Sequence, residues 1–398
     1  MTSNLIIKSN INSSYLDKKL LKINKKDMKK KFNDIKKNFN NSKNLFHTLN
    51  KNYKLNLNLK KIKKNKKFAI IGMGGSILAS KSIYSFLEYK IKKKFIFLDN
   101  LDEIKIKEIN KEKYFFIFIS KSGNTIETLI NIGLLKQAIN SKNSLIICEK
   151  KINALNEISK KKNINIIEHK KYIGGRYSVF SEVGMIPAYL MGLSIKELRK
   201  NINNYLFKKN KIKILLKNSL ELTNLHMNKK ISSIVFLNYC SRLNNFSFWC
   251  QQLISESLGK KGMGILPIVS PAPKDHHSLL QLYLDGPKDK VFYILSCKNL
   301  YNFKTKKNFL FKHYKNLSSI KLEKVINSQK KALIQILRRK KIPYRIIHIN
   351  KSNEASLGEL FSYFILETAL SGLTMKINPF SQDAVEEVKT LTKKYLTK

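Results

Sequence analysis

From residue 66 onward, short apolar runs alternate with longer segments whose apolar residues recur every three or four positions. The runs KFAIIG, KFIFLD, YFFIFIS, SLIICE and INIIEH, between residues 67 and 169, have the length of buried strands, and each is followed by a segment with helical spacing. A helical stretch from about 194 to 228 intervenes. The alternation then resumes with ISSIVFLNY, MGILPIVS, VFYILSC and YRIIHIN. Strands alternating with helices predict parallel sheets wrapped by helices. The expected fold is therefore α/β, with two tandem doubly wound α/β/α sandwiches, one over residues 66–200 and one over 201–377. Residues 1–65 are rich in Lys and Asn and carry helical spacing in MKKKFNDIKKNFNNSKNLFHTL, which predicts an N-terminal helical arm. Residues 378–398 predict a loop marked by Pro379, then a C-terminal helix from near Gln382.

Composition narrows the class. A chain of 398 residues with 43% hydrophobic content can bury a large core and has room for two or three domains. No apolar run approaches the roughly 20 residues needed to cross a bilayer, and the start MTSNLIIKSN lacks the apolar stretch of a secretory leader. A cytoplasmic protein without a membrane partner is expected. Cys148, Cys240, Cys250 and Cys297 show no C-x-x-C spacing, so buried thiols are expected rather than a zinc site or a disulfide framework.

The net charge of +50 raises the question of nucleic acid, because Lys and Arg that neutralise phosphates supply most non-specific affinity. The distribution argues otherwise. Arginine, the residue suited to bidentate readout, occurs only at 176, 199, 242, 338, 339 and 345, and the lysines are spread over every segment, often beside Asn and Ile. With no helix-turn-helix, zinc-finger or RNA-binding pattern, no specific nucleic-acid partner is expected.

Two strand-to-helix turns carry candidate anion chemistry. In IIGMGGSILAS, Gly72, Gly74 and Gly75 let backbone amides approach an anion and Ser76 can donate at a helix start. The pattern is not G-x-G-x-x-G and lacks a P-loop lysine, which disfavours dinucleotides and triphosphates. In FISKSGNTIETL, Ser120, Ser122 and Thr125 bring three hydroxyls into one tight turn beside Lys121. Thr125 is expected to cap the following helix with Glu127 or Thr128 as partner. Short donors at a helix N-terminus suit a phosphate monoester. Further on, Arg176 follows two glycines, Glu256 lies on an amphipathic helix with Trp249, Leu253 and Ile254 that ends at Gly259, and the adjacent pair His276-His277 stands in PAPKDHHSLLQL.

These segments, in this order, resemble the glucose-6-phosphate isomerases of the sugar isomerase (SIS) family. The resemblance rests on Ser120, Lys121, Thr125, Glu127 and Thr128 in the phosphate loop; GGRYS around Arg176; QQLISESLGK around Glu256; D-x-H-S-x-x-Q at Asp275, His277, Ser278 and Gln281; and NPFSQDAVEEVK with Gln382 and Lys389. It covers residues 66 to 390. The loop core SGNT departs towards other sugar isomerase domains, including dual phosphoglucose/phosphomannose isomerases.

The resemblance implies an SIS-type fold, a sugar-phosphate substrate, and neither metal nor organic cofactor. Gly75, Ser76, Ser120, Lys121, Ser122 and Thr125 are expected at the phosphate, and Gln382 at the sugar. His277, assisted by Lys389, is expected to open the ring, Glu256 to carry the proton between C2 and C1, and Arg176 to stabilise the enediolate. A homodimer with His277 reaching the neighbouring subunit's site is also implied. Of the two histidines, His277 is singled out because it and Gln281, four apart, would share a helix face. Two alternatives stay open: an isomerase that also accepts mannose 6-phosphate, and a non-catalytic sugar-phosphate sensor.

Overall fold

The structure, a computed structural model, describes residues 4–307 and 317–396. Among the described residues ten strands build two five-stranded sheets. In chain order these are β1 (Leu5–Asn10), β2 (Lys67–Gly72), β3 (Lys94–Leu98), β4 (Phe115–Ile119), β5 (Ser144–Cys148), β6 (Asn165–Glu168), β7 (Ser233–Asn238), β8 (Leu266–Pro271), β9 (Lys290–Cys297) and β10 (Tyr344–Ile349). The first sheet runs β3-β2-β4-β5-β6 and is parallel throughout. The second runs β1-β10-β9-β7-β8 and is parallel except for β1.

Each predicted run from residue 67 on is a strand, and the near-continuous apolarity follows from burial on both faces. On the first sheet Ala69, Ile71, Phe116 and Phe118 face Ile109, Ile132 and Leu155 of the outer helices. Phe68, Ile70, Ile117 and Ile119 face the opposite way. There they enter a core shared with Ile234, Phe236, Tyr293 and Ile347 of the second sheet. Three helices fill that shared layer: Leu78–Leu87, Asn244–Leu258 and Glu354–Thr374. The last is buried at every residue from Glu354 to Gly372. The two sandwiches are thus fused through one core. Among the described residues no helix is long and apolar enough to cross a membrane.

Three expectations change. The N-terminal segment holds the helix Lys18–Asn38 but is not helical throughout: β1 pairs antiparallel with β10, placing Leu5 against Ile349. Six residues with only Leu5 and Ile7 buried leave too short an alternation to stand out in a Lys- and Asn-rich stretch. The stretch 194–228 is broken into Ile195–Leu198, Asn204–Phe207 and Lys209–Asn228. Cys240 and Cys297 are joined in a disulfide, whereas Cys148 and Cys250 are buried free thiols. Because β7 and β9 are neighbours and Tyr239 N–H donates to Leu295 O, the ends of both strands bring the two cysteines side by side. A separation of 57 residues gives no sign of this in the sequence.

The second sheet is tied to its helices by a buried charge cluster. Arg345 of β10 is fully buried; it donates to Glu367 and lies 3.5 Å from Glu221, while Tyr363 OH donates to Glu367 at 2.7 Å. Ser9 of β1 donates to Glu221, so the cluster also holds the N-terminal strand. Removing one partner of a buried pair strands the other charge. Arg345→Met is expected to lower stability by about 3 to 5 kcal/mol, checked by urea unfolding followed by circular dichroism.

Candidate active site

In an open parallel sheet, ligands bind beyond the carboxyl ends of the strands where the strand order reverses. In the first sheet this place is between β2 and β4. The Gly74–Ser76 turn follows β2 and the Ser120 loop follows β4, so both predicted anion turns flank the same crevice. Gly75 is pressed against another turn: a Cβ there would lie 2.3 Å from Gly175 C and 2.5 Å from Arg176 N. The phosphate-type turn and the Arg176 turn therefore touch backbone to backbone, with Ser178 Oγ reaching across to Gly75 O at 3.4 Å.

The Ser120 loop differs from the expected capping box. Thr125 stands at the N-cap of the Ile126–Gly133 helix, but its side chain makes no capping bond. Its hydroxyl instead meets Ser120 Oγ at 2.8 Å, and Thr128 is buried with its hydroxyl unpartnered. Ser120 Oγ also accepts from Gly123 N–H, and Ser122 Oγ from Asn124 N–H. First-turn amides left without a side-chain acceptor can receive an anion. Lys121 is half-buried beside Glu149, Lys151 and Arg176, and burial pulls its ammonium below the ordinary lysine range.

Arg176 gathers the rest of the site. It lies in the 3₁₀ turn Gly175–Phe180 and is buried, and all five guanidinium N–H groups have acceptors. Nε donates to Ser257 Oγ at 2.8 Å, and Nη2 to Pro379 O at 2.7 Å and Ser381 O at 2.8 Å. Nη1 donates to Glu256 Oε2 at 3.0 Å and Gln382 Oε1 at 2.9 Å. Glu256 lies on the Asn244–Leu258 helix, which ends at Gly259 as expected, and its side chain is 28% exposed. It opens on two cavities. One, of 860 Å³, is lined by Lys260, Asn378, Ser381 and Gln382; the other, of 490 Å³, by Lys81, Asp99, Phe248 and Gln252.

The wrapping of Arg176 explains why Gln382 is not on the last helix. Residues 379–382 turn two backbone carbonyls and one amide onto the guanidinium, so they cannot enter a helix, and the helix starts at Glu386 after the turn Asp383–Val385. The expected helix from near Gln382 therefore begins four residues later, and Gln382 and Lys389 do not lie on one helix. Lys389 is exposed and paired with Glu386 at 2.6 Å, and it lines neither cavity.

The histidines separate clearly. His276 Nε2 is 2.7 Å from Tyr239 OH, with the two rings edge to face, so this residue is anchored within its own fold. His277 is exposed and lines neither cavity beside Glu256. The helix-face argument for it does not hold: His277 sits in a turn, and the helix begins at Leu280. What holds the loop is Asp275, which accepts from Ser270 at 2.7 Å and Ser278 at 3.1 Å.

The structure thus brings together Gly75, Ser76, Arg176, Glu256 and Gln382, with the Ser120–Thr125 loop across the same crevice, and leaves His277 and Lys389 apart. It adds residues not singled out in the sequence. Gln252 Nε2 donates to Glu256 Oε1 at 2.8 Å, and Tyr177 OH meets Ser257 Oγ at 2.9 Å. Gln252, Ser257 and Tyr177 all sit inside the quoted motifs; a search for residues four before and one after the acidic group would have found the first two. Among the described residues no group of three or more His, Cys, Asp or Glu is placed to hold a metal ion.

The profile of a family described as "Phosphoglucose isomerase" matches residues 16–398. The chain is 34% identical to a probable glucose-6-phosphate isomerase of Methanococcus maripaludis, with 82% of this chain and 78% of that protein covered. It is 33% identical to the glucose-6-phosphate isomerase of Methanocaldococcus jannaschii, with 81% and 82% covered. Among solved structures, a hypothetical protein from Thermus thermophilus superposes with a TM-score of 0.84 at 22% identity, covering 98% of this chain and 100% of the other. A glucose-6-phosphate isomerase from Chlamydia trachomatis superposes with a TM-score of 0.70 at 17% identity, covering 86% of this chain and 71% of the other. These two likenesses establish the fold.

The backbone contact at Gly75 leaves no room for a methyl group. Gly75→Ala is expected to push the Gly175–Phe180 turn away and to lower the melting temperature, with faster amide hydrogen exchange in residues 174–180 as the direct check.

Proposed function

The chain belongs to the phosphoglucose isomerase family, and we propose on that premise that it interconverts glucose 6-phosphate and fructose 6-phosphate at the Arg176–Glu256 site. The observation that carries this reading is the buried guanidinium whose Nη1 alone faces both a carboxylate and an amide at the edge of a sugar-sized cavity.

In this reading Gly75, Ser76, Ser120, Lys121, Ser122 and Thr125 receive the phosphate, supported by the open helix end and the position at the reversal of strand order. His277, assisted by Lys389, passes a proton to the ring oxygen as the C1 hydroxyl gives one up, and the ring opens. Glu256 takes the proton from C2 of the open-chain aldose, and the electrons of the broken C2–H bond form the C1=C2 bond of a cis-enediolate with its charge on O1; a proton then passes from O2 to O1, and as C2=O forms the same carboxyl returns its proton to C1. Arg176 Nη1 meets the oxyanion: Nε and Nη2 are bound to fixed acceptors, whereas the acceptor Gln382 can yield its place to substrate. Gln252 aims the carboxylate through its bond to Oε1.

His277 and Lys389 enter as proposals from the family resemblance. The exposure of His277, beside an anchored His276, supports a role for His277 in the site of a second subunit of a homodimer. For Lys389 the reading requires the exposed helix Glu386–Leu396 to turn towards the cavity that Ala384 and Val385 line. The enzyme would serve glycolysis and gluconeogenesis in the cytoplasm.

Glu256→Gln is expected to abolish turnover in a coupled assay while sugar-phosphate binding by calorimetry persists; near-normal turnover would sink the assignment. His277→Ala should be damaged and His276→Ala spared, and the reverse would overturn the choice between them. Mixing inactive Glu256→Gln and His277→Ala subunits under exchange should restore about a quarter of wild-type activity, since half the random dimers carry one intact site; no recovery would place His277 in its own subunit's site.

A further inference from the structure

We propose that Glu149 is a positioning residue for Lys121 and thereby sets affinity for the phosphate end of the substrate. The proposal rests on the reading of the Ser120–Thr125 loop as the phosphate site.

A carboxylate is the last group expected beside a phosphate site, since it repels the ligand. Glu149 nevertheless follows β5 directly, is 8% exposed, and faces the loop after β4. Its backbone N–H donates to Lys121 O at 3.1 Å. Its carboxylate divides unequally: Oε2 is 2.8 Å from Lys151 Nζ, and Oε1 is 3.8 Å from Lys121 Nζ. The second distance is beyond a hydrogen bond, so Lys121 is held in the field of Glu149 while its N–H groups stay available to another acceptor. Half-buried among Arg176 and Lys151, that ammonium would otherwise be driven towards solvent or towards losing its proton. The buried His169 nearby is no source of charge, because burial pushes its ring down to about 4 and leaves it neutral.

The segment after Glu149 fixes the rest of the loop. Asn153 and Asn156 donate to Glu149 O at 3.2 and 3.0 Å. Leu155 N–H donates to Gly123 O at 3.1 Å, and Ala154 N–H to Asn124 Oδ1 at 2.9 Å. Asn153 lies so close that a Cβ on Gly123 would fall 2.0 Å from its Oδ1. Lys121, Gly123 and Asn124 are thus each tied to residues 149–155, and the charge that faces Lys121 belongs to the same brace.

The test uses the full-length enzyme, with glucose 6-phosphate as substrate and inorganic phosphate as competitive inhibitor. Glu149→Gln is expected to raise both KM and the phosphate inhibition constant about tenfold, with kcat within about twofold. An unchanged or tighter phosphate constant overturns the proposal, because a carboxylate that only competed for Lys121 would improve binding when removed. In a Lys121→Met background, Glu149→Gln should add nothing further; an additive loss means that Glu149 does not act through Lys121. If Glu149→Gln fails to fold, Glu149→Asp keeps the charge but withdraws it, and is expected to raise the phosphate constant about threefold at constant kcat; no change overturns the proposal equally. Lys121→Met with unaltered phosphate inhibition would instead refute the phosphate loop itself.

Discussion

The structure turns on one guanidinium. Arg176 spends its five N–H groups on a serine and a glutamate of one helix, two carbonyls and an amide of the C-terminal loop, and sits on a turn pressed against Gly75. The crevice of the first sheet, the helix of the second sandwich and the segment before the last helix are thereby fixed to one another. A fully donated guanidinium is a preorganised charge: the cost of orienting it is met by folding, before any ligand arrives. The same satisfaction explains how a cation this buried is tolerated, since each donor leaves water for a protein acceptor.

Rigidity at this point needs a rigid surrounding, which the shared core supplies. The inner faces of both sheets and the helices Leu78–Leu87, Asn244–Leu258 and Glu354–Thr374 form one apolar cluster. Glu256 is carried by the second of these helices, whose Trp249 and Leu253 are fully buried. Changes in that core would reach the carboxylate as small displacements, to which proton transfer is sensitive.

The strands from residue 67 on were legible because two-sided burial writes continuous apolar runs, and the reactive groups because each lies in a dense motif. What escaped depended on distant partners. Strand β1 shows too few apolar positions and is specified by the open edge of β10, and the Cys240–Cys297 pairing follows from strand order rather than spacing. Gln382 read as the start of a helix because it follows a loop marked by Pro379, yet Arg176 claims its backbone neighbours. The pairing of His277 with Gln281 failed for a related reason: Asp275 collects hydroxyls from both sides and holds a turn where the spacing suggested a helix. Lys389 stood out only by motif, since nothing distinguishes one lysine in so basic a chain.

Strand β1 also constrains the order in which the molecule can be assembled. Its partner is β10, which leaves the ribosome after all the other described strands, and the Ser9–Glu221 contact ties it to the helix Lys209–Asn228, made between the two. The first sheet, by contrast, is built entirely from residues 67 to 168 and can form during synthesis. Strand β1, made before the other described strands, is therefore among the last to be seated, and until then β10's edge and the buried charges beside it stand open. Closing so long a loop is slow relative to local pairing, which marks the docking of β1 as the late step of folding.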